Sequence, residues 1–260
     1  GIYQVSIDGM YAVSALDGRY AEQLEGLGAI VGEGGLIRYR LMAEASWLLH
    51  MAELTPPLVT LDQKTKKFLS EIGSGKIPAD AVGVIKSLEK KTNHDVKAVE
   101  YWLRDRLKEL GADDSVLAHI HFACTSEDIN NIAYALMLKD ARDKVLLPLL
   151  GQIRQMLGSM TRQLKDTPML SRTHGQTASP TTMGKELLVT DWRLSRQEKA
   201  LRSQEILAKF NGAVGNYNAH LSAWPSLNWP AISQDFVGRR LGLSWNPITT
   251  QIESHDSYVE

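Results

Sequence analysis

The chain has 260 residues, of which 43% are hydrophobic, and 29 lysines and arginines nearly balance 30 aspartates and glutamates, for a net charge of -1. This length and apolar content are enough to bury one large core or two ordinary ones. The near-neutral, interspersed charge gives no indication of a nucleic acid or a membrane surface as a partner.

The cysteine count and the lack of targeting signals indicate where in the cell the protein is expected. Cys124 is the single cysteine, which excludes an intrachain disulfide and fits a reducing compartment. The first residues lack a basic head followed by an apolar run, and no later stretch approaches the ~20 apolar residues that span a bilayer. We therefore expect a soluble, unexported, cytoplasmic protein.

The first third of the chain has a helical pattern after a glycine-rich start. Residues 1–35 lack sustained periodicity, so we expect an extended arm with short turns there. From Leu36 onward apolar residues recur at helical spacing until "TPP" ends the pattern, and a short charged helix is predicted through "AVGVIKSLEK". A further helix follows Asn93, which we place at its N-cap, because one stripe joins Val96, Val99, Leu103, Leu107 and Leu110.

Longer and more hydrophobic helices follow the break at "GADDS". A helix that includes Ile129 could run on into "VLLPLLGQI", with Pro148 as a kink or a break. The pattern from Thr181 to Phe210 predicts one helix of ~30 residues, or ~45 Å. Its apolar residues repeat every seven positions, which favours packing against nearly parallel helices: Leu187, Leu194, Leu201 and Ala208. We predict an all-α fold with a small N-terminal helical domain (residues 1–112) followed by part of a long-helix bundle domain (residues 113–260).

Three polar clusters each stand just before a predicted helix. They are "TNHD", "TSED" and "RTHGQ", and helix N-termini favour carboxylates and phosphates through unpaired amides and a positive dipole end. The alternative for each cluster is simple capping, because Asn93, Thr125 or Ser126, and Thr181 are all good N-caps. A fourth cluster, "DGRY", offers Arg19 and Tyr20 for an anion or for a ring to stack on, or else a surface turn.

Histidines lie in two of these loops. Because histidine as a residue type can act as an acid or a base near neutral pH, His94 and His174 are candidates for such chemistry. The spacing of His119, His121 and Cys124 could suggest a metal ion, but a fourth ligand is not evident nearby. We therefore predict no metal site.

Taken together, six segments resemble a known family in their order and spacing. The segments "DGRY", "TNHDVKAVEYWL", "HFACTSEDINN", "LSRTHGQTASPTTMGKE", "NGAVGNYNAH" and "WNPITTQIE" are similar to those of the bacterial adenylosuccinate lyases, within the wider superfamily of fumarases and argininosuccinate lyases. The resemblance covers nearly the whole chain.

The resemblance implies a β-elimination that releases fumarate from adenylosuccinate, leaving AMP, and from succinyl-aminoimidazole-carboxamide ribotide. By resemblance, His174 is the general acid and His94 lies in the same site. No metal or organic cofactor is implied, and the partners are a nucleotide substrate and three further copies of the chain, which form a homotetramer with shared active sites. The substrate-binding residues carried over by the motifs are Arg19, Tyr20, Asn93, His94, Asp95, Thr125, Ser126 and Gln251.

One family motif is missing from these 260 residues. The serine loop of the form Ser-Ser-x-Met-Pro-x-Lys-x-Asn, which carries the family's catalytic base, does not occur. We therefore expect a truncated chain that binds weakly and does not turn over. Two alternatives stay open: another fumarate-releasing lyase, such as an argininosuccinate lyase, or a non-catalytic helical scaffold whose polar loops only cap helices.

Overall fold

The computed structural model describes residues 12–260, and helices dominate this part of the chain, which confirms the all-α class. The elements of the first half are a 3-10 turn at Ala21–Leu24 and then α1 (Glu25–Val31), α2 (Glu33–Glu53), α3 (Gln63–Gly73), α4 (Ala81–Thr92), α5 (Asp95–Glu109), α6 (Asp114–Ala118) and α7 (Ser126–Ala141). None of the helices described between residues 12 and 260 is long and apolar enough to cross a bilayer.

The second half begins with a π turn at Arg142–Leu146 and α8 (Leu147–Gln163), followed by four two-residue strands and α9. These strands pair as antiparallel ribbons, β1 with β4 and β2 with β3. The bounds are β1 (Pro168–Met169), β2 (Arg172–Thr173), β3 (Gln176–Thr177), β4 (Thr181–Thr182), α9 (Met183–Ser203), β5 (Leu207–Ala208), α10 (Asn218–Ala223), α11 (Trp229–Asp235), a π turn at Phe236–Arg240, β6 (Ser244–Trp245) and α12 (Asp256–Val259).

The extended arm predicted for residues 1–35 is wrong where the structure describes it. Residues 1–11 lie outside the described part, and helical backbone already begins at Ala21. Gly32 separates α1 from α2 with an extended backbone, and Ile30 is buried. Glycines that weaken the sequence pattern therefore mark a helix junction here.

Helix α2 is the central helix of its neighbourhood. Fourteen of its 21 residues are buried, including the large side chain of Trp47, so it is packed on most of its circumference. Helices α3 and α5 contact it, and the predicted stripe of α5 is buried at Val96, Val99 and Leu103. The helical periodicity of this region is confirmed.

The N-cap predicted for α5 is wrong by one residue. Asn93 ends α4 in the left-handed conformation, with φ of 53°, and its amide donates to the Glu89 carbonyl. His94 is the N-cap of α5, because its Nδ1 accepts from the amide of Lys97 at 3.2 Å. Asparagine is one of the few non-glycine residues that adopt this left-handed C-cap readily.

Pro148 neither breaks nor ends its helix. Helical residues follow one another from Ser126 to Gln163, and the proline lies in the first turn of α8, directly after the π turn. In that turn the amide of Leu147 donates to the carbonyl of Arg142, five residues earlier. The missing amide of the proline therefore falls directly after a turn in which the hydrogen bonds run five residues back instead of four.

Helix α9 is shorter than predicted. It has 21 residues and ends at Ser203, so its length is ~30 Å rather than ~45 Å. Ala208 lies in β5, which pairs in parallel with β6, and so it does not belong to the heptad seam. The residues from Ala208 to Phe210 are buried, and tertiary packing here overrides a sequence that lacks helix breakers.

The chain divides into two compact units. One contains the residues up to Lys139 together with Glu205–Glu260, and the other contains Asp140–Gln204. The boundary predicted between residues 112 and 113 lies inside the first unit, and it stays a prediction. In the second unit α8 and α9 form an antiparallel hairpin, in which Arg154 bridges Asp191 at 2.9 Å and Glu198 at 2.7 Å.

Candidate active site

The start of α5 is tied to α7 through an arginine that the motifs did not single out. Arg40, which is buried in α2, donates from Nη2 to the carboxylate of Asp95 at 2.6 Å and from Nε to the amide oxygen of Asn130 at 2.9 Å. Burial disfavours the charged form of Asp95, but the Arg40 guanidinium and the Val96 amide outweigh it and lower the pKa of this carboxyl. Asp95 is therefore an anion that Arg40 holds in place.

An open pocket of about 480 Å³ lies beside this helix start and is lined by Glu89, Lys90, Asn93, His94 and Asp95. The His94 ring is half-exposed, and its Nδ1 is an acceptor in the helix cap. A ring that accepts at Nδ1 carries its proton on Nε2, so in the neutral state His94 presents a donor to a ligand. The structure thus brings three predicted site residues together at one pocket.

A second group of predicted residues surrounds the start of α7. The amide of Thr125 donates to the Asp128 carboxylate at 2.9 Å, and Gln251 lies with its amide nitrogen 3.5 Å from the Thr125 hydroxyl. Ser126 is the first residue of α7. The "TSED" and "TTQ" segments, distant in sequence, therefore meet within the first unit.

The "NGAVG" segment joins the same group. Asn211 donates from its side-chain amide to the Thr249 hydroxyl at 2.8 Å. Gly215 has φ of 79° and lies so close to the chain that a Cβ there would stand 2.1 Å from the Thr249 carbonyl oxygen. Glycine is needed at this position both for the left-handed backbone and for the close approach.

Below these loops lies a buried ion pair that the sequence patterns did not reveal. Lys209 and Asp128 have side chains that are 0% and 1% exposed, and Nζ of the lysine is 2.8 Å from the carboxylate. The same carboxylate accepts from the amides of Asn211 and Gly212. The one sequence signal is a lysine within the apolar run "ILAKF", where a charge is out of place.

His174 lies in the second unit, at the tip of the β2–β3 ribbon. His174 and Gly175 have φ of 50° and 74°, the pattern of a two-residue hairpin with both central residues left-handed. Glycine at the second position thus has a conformational reason, and the histidine ring is exposed. The role of His174 stays a prediction.

Arg19 and Tyr20 form a local pair. The guanidinium carbon lies 5.3 Å from the centre of the Tyr20 ring, and both side chains are exposed. They lie between Ser14 and the 3-10 turn, in a run of turns rather than in a helix. Their binding role also stays a prediction.

The histidines of the "HIHFAC" segment contact different partners. His121 Nδ1 is 2.5 Å from the buried carboxylate of Glu44, which outweighs burial and raises the pKa of this histidine, whereas His119 Nδ1 contacts the Ser115 carbonyl. Burial raises the pKa of the Cys124 thiol. Between residues 12 and 260 the structure places no three His, Cys, Asp or Glu side chains where they could share a metal ion.

These features define a class: an all-α protein in which loops at helix N-termini gather carboxylate, amide, hydroxyl and imidazole groups. A family model described as "Lyase" matches residues 20–260. The chain belongs to this lyase family.

Relatives and solved structures agree with that assignment. The adenylosuccinate lyase of Vibrio cholerae is 46% identical over 258 residues, which are 98% of this chain and 56% of that protein. The adenylosuccinate lyase of Haemophilus influenzae is 48% identical over 254 residues, which are 96% of this chain and 55% of that protein. The chain thus spans about half the length of these relatives. A β-carboxy-cis,cis-muconate cycloisomerase from Acinetobacter calcoaceticus aligns with a TM-score of 0.67 at 18% identity, covering 89% of this chain and 52% of its own, and shares the fold.

Proposed function

We propose that this chain is part of an adenylosuccinate lyase, which eliminates fumarate from adenylosuccinate to leave AMP and performs the same elimination on succinyl-aminoimidazole-carboxamide ribotide. The observation that carries the proposal is the identity of 45–48% to proteins of that name across nearly the whole of this chain. The alternative that the polar loops are only caps leaves this likeness unexplained.

The elimination of fumarate requires a base and an acid. A base removes a proton from the carbon next to a substrate carboxylate, the carbon–nitrogen bond breaks, and an acid protonates the leaving nitrogen as fumarate departs. In this proposal His174 is that acid. We assign the base to a serine loop outside these 260 residues.

Binding of the substrate falls to the loops at the helix starts. Thr125 and Ser126 stand at the N-terminus of the 16-residue helix α7, where the positive end of the helix dipole favours a carboxylate. His94 offers Nε2 beside Asn93 and Asp95, and Gln251 lies next to Thr125. Arg19 and Tyr20 would serve the phosphate and the base of the nucleotide.

We also propose that the whole protein is a cytoplasmic homotetramer in which several subunits contribute to each active site. Its support is the helical hairpin of the second unit, which exposes many apolar side chains for 65 residues of chain. A helical hairpin with this many exposed apolar residues is expected to pack against a partner. The exposed apolar residues of this unit include Leu146, Leu149, Ile153, Met156, Leu188, Val189 and Trp192.

The test is the change in absorbance at 280 nm when the full-length protein is mixed with adenylosuccinate. We expect the unaltered protein to turn over adenylosuccinate and His174→Ala to lose at least about 100-fold in kcat. Residues 1–260 alone should show no turnover. His119→Ala is the matched control, because it removes a half-buried histidine that contacts a backbone carbonyl, and it should retain activity.

Two results would overturn the proposal. Cleavage of argininosuccinate but not of adenylosuccinate by the unaltered protein would move the assignment to another fumarate-releasing lyase. Full activity of His174→Ala would remove the assigned acid.

A further inference from the structure

We propose that Asp128 and Lys209 are positioning residues, a buried ion pair that holds the Thr125 loop and the Asn211–Tyr217 loop in the arrangement that binds substrate. The proposal rests on the proposed function for the nature of the substrate. The positions of the two loops are a matter of geometry and can be tested separately.

The Asp128 carboxylate is the point where the two loops meet. One oxygen, Oδ1, lies 2.8 Å from Lys209 Nζ and accepts from the Asn211 amide at 3.1 Å. The other oxygen, Oδ2, accepts from the Thr125 amide at 2.9 Å and from the Gly212 amide at 3.1 Å. Four donors from two separate segments of chain, Thr125 and Lys209–Gly212, thus converge on one buried anion.

Lys209 contacts the second loop as well as Asp128. Its ammonium also donates to the Gly212 carbonyl at 3.0 Å, so the lysine fixes the loop that follows it as well as neutralising Asp128. Asn131 pairs with both backbone groups of Lys209, accepting from its amide at 2.8 Å and donating to its carbonyl at 3.0 Å. The backbone from which the lysine projects is therefore fixed by α7.

From this centre the contacts extend to the predicted binding residues. Thr125, held by Asp128, has its hydroxyl beside the Gln251 amide, and Asn211 donates to Thr249 in the same segment as Gln251. A buried charge is retained only where it is paired and hydrogen-bonded, which is the case here. The pair has no contact of its own with the open pocket, so it acts through the loops.

The test uses a neutral pair of similar shape, Asp128→Asn with Lys209→Met, in the full-length protein. A single change would leave one charge buried without its partner and could prevent folding. The introduced amide can turn only one oxygen to the donors, so one set of amides loses its acceptor whichever way it faces. The double variant therefore stays uncharged in the core while it releases part of a loop.

Two readouts separate positioning from stability. We expect hydrogen–deuterium exchange in the peptides containing Thr125 and Asn211 to be at least about tenfold faster in the double variant. We expect KM for adenylosuccinate to rise about tenfold or more while kcat changes less than about threefold, since uniform binding is lost. Leu69→Ala, in the buried core of α3, is the control that destabilises the same unit and should leave KM unchanged.

The outcomes are distinct. Unchanged exchange in both peptides, or unchanged KM despite faster exchange, would overturn the positioning role. If the unaltered protein does not cleave adenylosuccinate, the proposed function has failed, and the exchange measurement alone then decides whether the pair holds the two loops.

Discussion

The guanidinium of Arg40 donates from Nη2 to the carboxylate of Asp95 at 2.6 Å and from Nε to the side-chain oxygen of Asn130 at 2.9 Å. One buried side chain in α2 thereby fixes the start of α5 against α7. These are the helices whose N-termini carry the "TNHD" and "TSED" clusters, so the mutual position of two candidate binding loops depends on a residue outside both motifs.

Arg40→Lys should reduce kcat/KM for adenylosuccinate in the full-length protein by about tenfold. A single ammonium cannot reproduce the planar fork that serves Asp95 and Asn130 together. Arg106→Lys is the control, since Arg106 pairs with Asp80 and Glu109 on the surface of the same unit and such pairs contribute little. Equal activity of the two variants would show that Arg40 has no special role.

Acid should destabilise the protein through His220. Burial lowers the pKa of His220 to about 4, and neither ring nitrogen has a hydrogen-bond partner among the described residues. Because the folded-state pKa lies below the unfolded value, the contribution is fully present above pH 6.5 and is lost as the pH falls from 6.5 towards 4.

His220→Phe should remove that dependence. The ring lies among Phe122, Phe210, Tyr217 and Trp229, which are compatible with an apolar replacement. Between pH 7.5 and pH 5.0 the unaltered protein should lose about 2 kcal/mol of unfolding free energy more than the variant. Urea titration at the two pH values measures the difference, and parallel losses in the two proteins would contradict the assignment.

Two glycines of the helical hairpin should respond to alanine in opposite directions. A Cβ at Gly184 would stand 2.6 Å from the Thr161 carbonyl oxygen and 2.7 Å from Lys165 Cα, so Gly184→Ala should destabilise the protein by about 2 kcal/mol. A Cβ at Gly151, in the interior of α8, meets nothing within 4 Å. Gly151→Ala should therefore stabilise by about 0.5–1 kcal/mol.

Thermal unfolding of the two variants measures both effects. The pair is a matched test because the same atom is added in the same hairpin. Destabilisation by both changes would mean that the space around Gly151 is filled in the assembled protein.

Helix periodicity was sufficient to predict the fold class and the buried stripe of α5, because a stripe depends on spacing within one element. The N-cap of α5 could not be assigned this way, since Asn93 and His94 both have capping side chains. The length of α9 was overestimated because the residues just after Ser203 include no helix breaker. Leu207 and Ala208 are extended because they pair with Ser244–Trp245, a contact that the local sequence does not indicate.

In the candidate site, too, the sequence predicted the residues that belong to local motifs and missed those whose partners are distant in sequence. The motifs predicted residues at the surface of the loops, such as Thr125 and Gln251, and the structure brings these two together. Arg40, Asp128 and Lys209 were not singled out, because their partners are far away in sequence and no local spacing indicates them. Only the isolated lysine in "ILAKF" hinted at a buried charge.

Trp192 offers the sharpest test of the proposed tetramer. Trp192 is 65% exposed on α9, among other exposed apolar residues of the hairpin, and burying it against a second copy would remove this surface from water. Trp192→Lys in the full-length protein should therefore reduce the assembly to dimers or monomers, because an unpaired charge in an apolar interface is costly. Light scattering coupled to size-exclusion chromatography measures the mass of the assembly.

Val84→Lys is the control, because it changes a partly exposed apolar residue of α4 in the other unit, and it should leave the mass of the assembly unchanged. A tetramer that persists with Trp192→Lys would place the subunit interface elsewhere, and the exposed hairpin would then need another explanation.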